Sequence, residues 1–137
     1  MSKLNGKYIY KKVMVIDDSE ADRYVASYNI KRHYFAEEVI LKDSAKSALE
    51  YLRSSAEMPG NLPHYIFLDI RMPDIDGFAF LDEYEKLPET VKKTCIIMML
   101  SSSLNPEDHQ RAEQNKFVTR FLNKPLDKEK LEILTIQ

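Results

Sequence analysis

Apolar runs of strand length alternate with stretches of helical period along the whole chain. Residues 12–17 carry Val13, Met14, Val15 and Ile16 ahead of Asp17, a continuous run that predicts a strand buried on both faces, as parallel strands are. Asp18 or Ser19 can cap the helix that follows, in which Ala21, Tyr24, Val25 and Tyr28 repeat at helical spacing. A weaker second strand spans 38–41. Ser44 then caps a helix with Ala45, Ala48, Leu49 and Leu52 as its apolar stripe. The turn residues of 58–63 predict a loop, and 65–69 a third strand. A second turn-rich loop, 72–77, leads into a third helix whose face is Gly77, Phe80, Leu81 and Tyr84, closed by Pro88. The fourth strand, 95–100, is the most apolar. Asn105 followed by Pro106 reads as a capped helix start with proline at its first position. A fifth strand lies within 117–123, and Asp127 caps a last helix running to Gln137.

Five strand–helix units in strict alternation predict an α/β fold: a doubly wound, five-stranded parallel sheet with helices on both faces and right-handed crossovers. The expected organisation is one domain over 1–137, with the polar residues 1–11 as an N-terminal arm. Ligands of such open sheets bind outside the carboxyl ends of the strands. Asp17, Asp18, Asp69, Ser101 and Lys124 all fall at those ends, so five polar residues converge on one edge of the sheet.

Composition removes several classes of function. A formal charge of -2 argues against nucleic acid as a partner, because phosphate-backbone binding needs clustered Lys and Arg. The longest apolar run is Cys95–Leu100, far short of the roughly 18 residues of a membrane helix, so no membrane association is expected. Cys95 is the one cysteine, which rules out an internal disulfide, and the expected location is the cytoplasm.

The acids then acquire a chemical reading. A carboxylate at the end of a buried strand is costly without compensation, and one divalent cation would compensate Asp17, Asp18 and Asp69 together. Oxygen ligands with no His or Cys nearby suit a hard ion such as Mg²⁺, which prefers a few carboxylates plus phosphate oxygens. Singly, each residue has a plainer role: Asp17 and Asp18 as helix caps, Asp69 and Lys124 in turns, Ser101 as a strand-end serine. Together they point to a phosphate-handling metal site.

Four motifs in order carry a more specific resemblance: Val15-Ile16-Asp17-Asp18-Ser19, Leu68-Asp69-Ile70-Arg71-Met72-Pro73-Asp74-Ile75-Asp76-Gly77, Met99-Leu100-Ser101-Ser102, and Phe121-Leu122-Asn123-Lys124-Pro125-Leu126. With them the chain resembles the receiver domain of two-component response regulators, in the stand-alone form that chemotaxis regulators take. The resemblance implies a flavodoxin-like sheet of strand order 2-1-3-4-5 and a signalling switch, not a conventional enzyme. It implies that Asp69 accepts a phosphoryl group from the phosphohistidine of a sensor histidine kinase or a histidine phosphotransfer protein. Asp17, Asp18 and Asp69, with the backbone carbonyl of Arg71, would hold Mg²⁺. Lys124 and Ser101 would contact phosphoryl oxygens, Ser101 and Phe121 would couple the site to a partner-binding surface, and the Lys124–Pro125 bond would be cis. The downstream partner is unidentified, and a homodimer is compatible with the family. Two other readings stay open: an aspartate-nucleophile phosphohydrolase, which would need a second Asp two residues past the nucleophile where Ser19 and Arg71 stand, and a binding module that is never phosphorylated.

Overall fold

The computed structural model describes residues 7–135. In chain order the elements are β1 (Tyr10–Ile16), α1 (Glu20–Arg32), β2 (Ala36–Lys42), α2 (Ala45–Ser54), β3 (Tyr65–Leu68), α3 (Gly77–Tyr84), α4 (Glu89–Thr94), β4 (Ile96–Ser101), α5 (Pro106–Gln114), β5 (Val118–Asn123) and α6 (Lys128–Thr135), with a short 3-10 turn at Pro59–Asn61. The sheet order is β2-β1-β3-β4-β5 and every pairing is parallel. The alternation of runs predicts the doubly wound parallel sheet, and the flavodoxin-like order is the one that the resemblance to receiver domains implies.

The three central strands explain the continuous apolar runs. Alternate residues of a strand face opposite sides of the sheet. Met14, Ile16, Ile66, Leu68, Ile97 and Met99 enter one core, against α2, α3, α4 and Ala112 of α5. Val13, Val15, Tyr65, Phe67, Met98 and Leu100 enter the other, against Ala26 and Ile30 of α1 and Leu131 and Leu134 of α6. With helices on both faces, no position on these strands needs to be polar until the carboxyl ends.

Three local readings are corrected. Tyr10 and Lys11, assigned to a polar arm, belong to β1, and Tyr10 is buried against the rings of Phe35, His64 and Tyr65. Residues 1–6 of that arm and the end of the last helix at 136–137 lie outside the described residues. The stripe expected on α1 is displaced: Tyr24, Val25 and Tyr28 are exposed, and Ala26 and Ile30 face the sheet. Asp22 and Asn29 share the inward side, each satisfied by a partner: Asp22 by Lys124, and Asn29 through a bond from Nδ2 to the carbonyl of Leu126 at 3.0 Å. Finally, Pro88 is the N-cap of an extra helix, α4, that the sequence pattern does not announce. The α2 and α3 stripes are buried as expected.

Candidate functional site

Register brings the acids together. Ile16 of β1 stands beside Leu68 of β3, and the N–H of Asp69 donates to the carbonyl of Ile16 at 3.0 Å, so Asp17 and Asp69 leave the sheet side by side. Asp17 is 2% exposed and Asp69 5% exposed, whereas Asp18 is open to solvent. One carboxylate oxygen from each of Asp17, Asp18 and Asp69 lies within 4.8 Å of the others. The backbone around Asp17 is held from two directions: its Oδ1 accepts the Ser19 N–H at 2.9 Å, and its carbonyl accepts from the Arg23 guanidinium at 2.8 Å. Ser19 in turn caps α1 by accepting from the Asp22 N–H.

Gly77 fixes the approach of α3 to this edge. Its N–H donates to the Ile70 carbonyl at 2.8 Å, and a Cβ at this position would fall 2.5 Å from the backbone oxygen of Asp69. No side chain fits there. Glycine is thus required by contact with the backbone of the candidate acceptor itself.

Lys124 comes from the far side of the sheet, at the end of β5. Ser101 ends β4 opposite Asn123, and the Lys124 N–H donates to the Ser101 carbonyl at 2.9 Å. The Lys124–Pro125 bond is cis. The ammonium reaches Asp17 Oδ2 at 2.7 Å, Asp22 Oδ2 at 2.7 Å and Asp69 Oδ1 at 3.5 Å. Burial alone would pull its pKa down, but the bonds to Asp17 and Asp22 and the charge of Asp69 outweigh it and the pKa is raised. Asp69 is pushed up from 3.8 to about 6, by burial first and then by the charge of Asp17, with Lys124 opposing both. A carboxylate in this setting still ionises at neutral pH, yet is poorly solvated, and that is the condition of a usable nucleophile.

Ser101 is 1% exposed, and its Oγ accepts the Ser103 N–H at 3.0 Å. Phe121, half-buried, packs its ring on His109 of α5 with centroids 4.0 Å apart. The side chain of Arg71 turns away from the acids to Asp108.

Sequence reasoning missed Asp22 and Asp108. Ser19 and Asp22 have the spacing of a capping box, so Asp22 reads as a local helix-start residue although its carboxylate serves Lys124, 102 residues along the chain. Asp108 sits in the first turn of α5, where an acid is favourable for any helix, and nothing nearby announces Arg71.

Comparison with known proteins follows the same outline. A family model described as the response regulator receiver domain matches residues 13–135. A response regulator receiver protein from Dyadobacter fermentans superposes with a TM-score of 0.80 at 31% identity, over 90% of this chain and 94% of that one. The receiver domain of the histidine kinase CKI1 from Arabidopsis thaliana, complexed with Mg²⁺, gives 0.75 at 28% identity over 93% and 92% of the two chains. Of the full CKI1 protein this chain spans 11%. The probable methanogenesis regulatory protein FilR2 from Methanothrix harundinacea is 27% identical over 88% of this chain and 76% of its own length.

Proposed function

The chain belongs to the response regulator receiver domain family, and from that premise we propose that it is a phosphoacceptor switch. Asp69 takes a phosphoryl group from the phosphohistidine of a sensor histidine kinase or a histidine phosphotransfer protein, in the cytoplasm, and the modified domain presents a changed surface to a downstream protein. The observation that carries this reading is the setting of Asp69, buried beside two other carboxylates and facing one ammonium.

One oxygen of Asp69 attacks phosphorus in line. The new P–O bond forms as the P–N bond to the donor imidazole breaks, and the nitrogen leaves with the electron pair. Charge then spreads over the three equatorial oxygens. Lys124, held ready by Asp17 and Asp22, pairs with one of them, and the hydroxyl of Ser101 donates to another. The donor set of Asp17, Asp18 and Asp69 is all oxygen and fits Mg²⁺, with the Arg71 carbonyl as a further ligand. Bound there, the ion would offset the charge of the phosphoryl oxygens. The Mg²⁺ in the related CKI1 receiver supports this assignment.

Output runs through Ser101 and Phe121. Movement of the Ser101 hydroxyl toward the phosphoryl group vacates space at the end of β4, and Phe121 of the neighbouring β5 turns into it, biasing the surface of α5, β5 and α6 between two states. Acetyl phosphate with Mg²⁺ tests the chemistry. Intact-mass spectrometry should show one added phosphoryl group on the wild type and none on Asp69→Asn. An unmodified wild type, or a variant modified at the same rate, overturns the assignment.

A further inference from the structure

Three carboxylates are buried among the described residues, and two of them, Asp17 and Asp69, belong to the site above. The third is Asp108, on the first turn of α5 and 4% exposed. Its Oδ2 accepts from the Arg71 guanidinium at 2.6 Å and from the Ser103 hydroxyl at 2.7 Å. Arg71 stands two residues past Asp69 with its side chain 63% exposed, so this ion pair has one end buried and the other in solvent. Ser103 also donates its N–H to Ser101 Oγ at 3.0 Å, and its carbonyl lies 3.3 Å from His109 Nε2. The His109 ring in turn rests on Phe121. Contacts thus run without a gap from Arg71 through Asp108 to Ser103, and fork there to Ser101 and to Phe121.

We propose that the carboxylate of Asp108 and the phosphoryl group on Asp69 compete for the guanidinium of Arg71, so that Asp108 is a positioning residue holding the site in its unphosphorylated arrangement. The inference rests on the phosphoacceptor reading of Asp69 and names how that site is regulated. A phosphoryl group carries a charge of about -2 and three acceptor oxygens, and guanidinium geometry matches phosphate better than any other side chain does. Arg71 has a long exposed stem and begins two residues from the acceptor. Once it leaves, Asp108 keeps only the Ser103 hydroxyl, and a buried carboxylate that has lost its cation is strongly disfavoured. Asp108 and Ser103 must then rearrange together. That frees Ser101 Oγ from the Ser103 N–H and loosens the seat of His109 under Phe121. The threshold for switching is therefore set partly by how tightly Asp108 holds Arg71.

Beryllofluoride with Mg²⁺, a phosphoryl mimic, tests this by titration followed in proton–nitrogen NMR spectra. Asp108→Asn keeps the shape and weakens the hold on Arg71, so it should tighten beryllofluoride binding by about threefold to tenfold, the range of a charge-pair coupling. In an Arg71→Ala background the same substitution should change nothing. A packing role for Asp108 alone would leave binding unaltered, or weaken it equally in both backgrounds, and either result overturns the proposal. The wild type supplies a second readout that needs no variant: the Arg71 Nε–H resonance should shift on beryllofluoride binding and the Asp108 carboxyl signal should move with it. An Arg71 resonance that stays in place while the mimic binds also overturns it. Failure of the mimic to bind wild type, or equal binding to Asp69→Ala, would instead bring down the phosphoacceptor reading and this inference with it.

Discussion

Asp69→Asn should stabilise the metal-free protein. The wild-type carboxyl is raised from 3.8 to about 6, chiefly by burial and by the charge of Asp17, so in EDTA the folded state bears a penalty for ionising it. At 1.36 kcal/mol for each pH unit, a rise of about two units is worth on the order of 3 kcal/mol. The amide has no charge to desolvate and none to oppose Asp17. Lys124 loses its weakest contact, at 3.5 Å, and keeps both bonds at 2.7 Å, so little is lost in return. The net gain expected is about 2 to 3 kcal/mol near neutral pH, or a rise in Tm of roughly 6 to 12 °C for a domain of this size.

The pH dependence separates this cause from any other. A carboxyl whose folded-state pKa is raised binds its proton more tightly when folded, so wild-type stability falls as pH rises from about 4 to about 6, and the penalty is complete above that window. The gain from Asp69→Asn should therefore be about a third of its full value near pH 4.5 and reach that value above about pH 6.5. Urea unfolding of both proteins across this range, in EDTA, measures it. Excess Mg²⁺ should reduce the difference by stabilising the wild type. A gain independent of pH, or a variant less stable at neutral pH, would refute the account of Asp69 as a desolvated, charge-crowded acid.

Three further outcomes follow from the site. Asp18→Ala, at an exposed position, should weaken Mg²⁺ binding in an NMR titration with a stability change within about 0.5 kcal/mol, whereas Asp17→Ala should weaken binding and also strip Lys124 of a partner. Gly77→Ala must displace the Asp69 backbone, since its Cβ would meet that oxygen at 2.5 Å; a loss of about 1 to 3 kcal/mol in urea unfolding and slower phosphoryl uptake are expected together. Phe121→Ala should leave uptake at Asp69 nearly intact while weakening phosphorylation-dependent partner binding; because the ring is half-buried, its loss should cost less than the roughly 3 to 5 kcal/mol of a full core aromatic, and a binding loss that merely tracks the unfolded fraction in thermal melts would argue against a switching role.

The three central strands were legible because burial on both faces leaves a signature that no other element among the described residues shares. Val13 to Ile16 and Ile96 to Leu100 have no polar interruption, since each side chain meets a helix above or below the sheet. Asp17 and Asp69 at their ends were legible for the same reason, an acid after such a run being conspicuous. Helix α1 was harder. Its inward side carries Asp22 and Asn29 beside Ala26 and Ile30, and those polar groups are satisfied only by Lys124 and the Leu126 carbonyl, about a hundred residues downstream. Counting apolar positions therefore selected Tyr24 and Tyr28, which face solvent. Helix α4 was illegible because six residues with one buried side chain, Val91, leave no period to detect.

The residues that escaped notice have one property in common. Asp22 and Asp108 both occupy the first turn of a helix, where an acid needs no explanation beyond the exposed N–H groups and the helix dipole. Each instead spends its carboxylate on a cation delivered by a distant strand end: Lys124 after β5, Arg71 after β3. Both cations belong to the edge that holds Asp69. The local role and the distant role are compatible, because the backbone of the turn and the carboxylate of the side chain point in different directions. A helix start near the carboxyl edge of a parallel sheet thus conceals residues that set the charge of the site. Lys124, beside the acceptor, and Arg71, two residues past it, are both already engaged, one by Asp17 and Asp22 and the other by Asp108. On the proposed function, a phosphoryl group arriving on Asp69 would draw them from existing partners, which would make its chemistry and the rearrangement of α1 and α5 contacts one event.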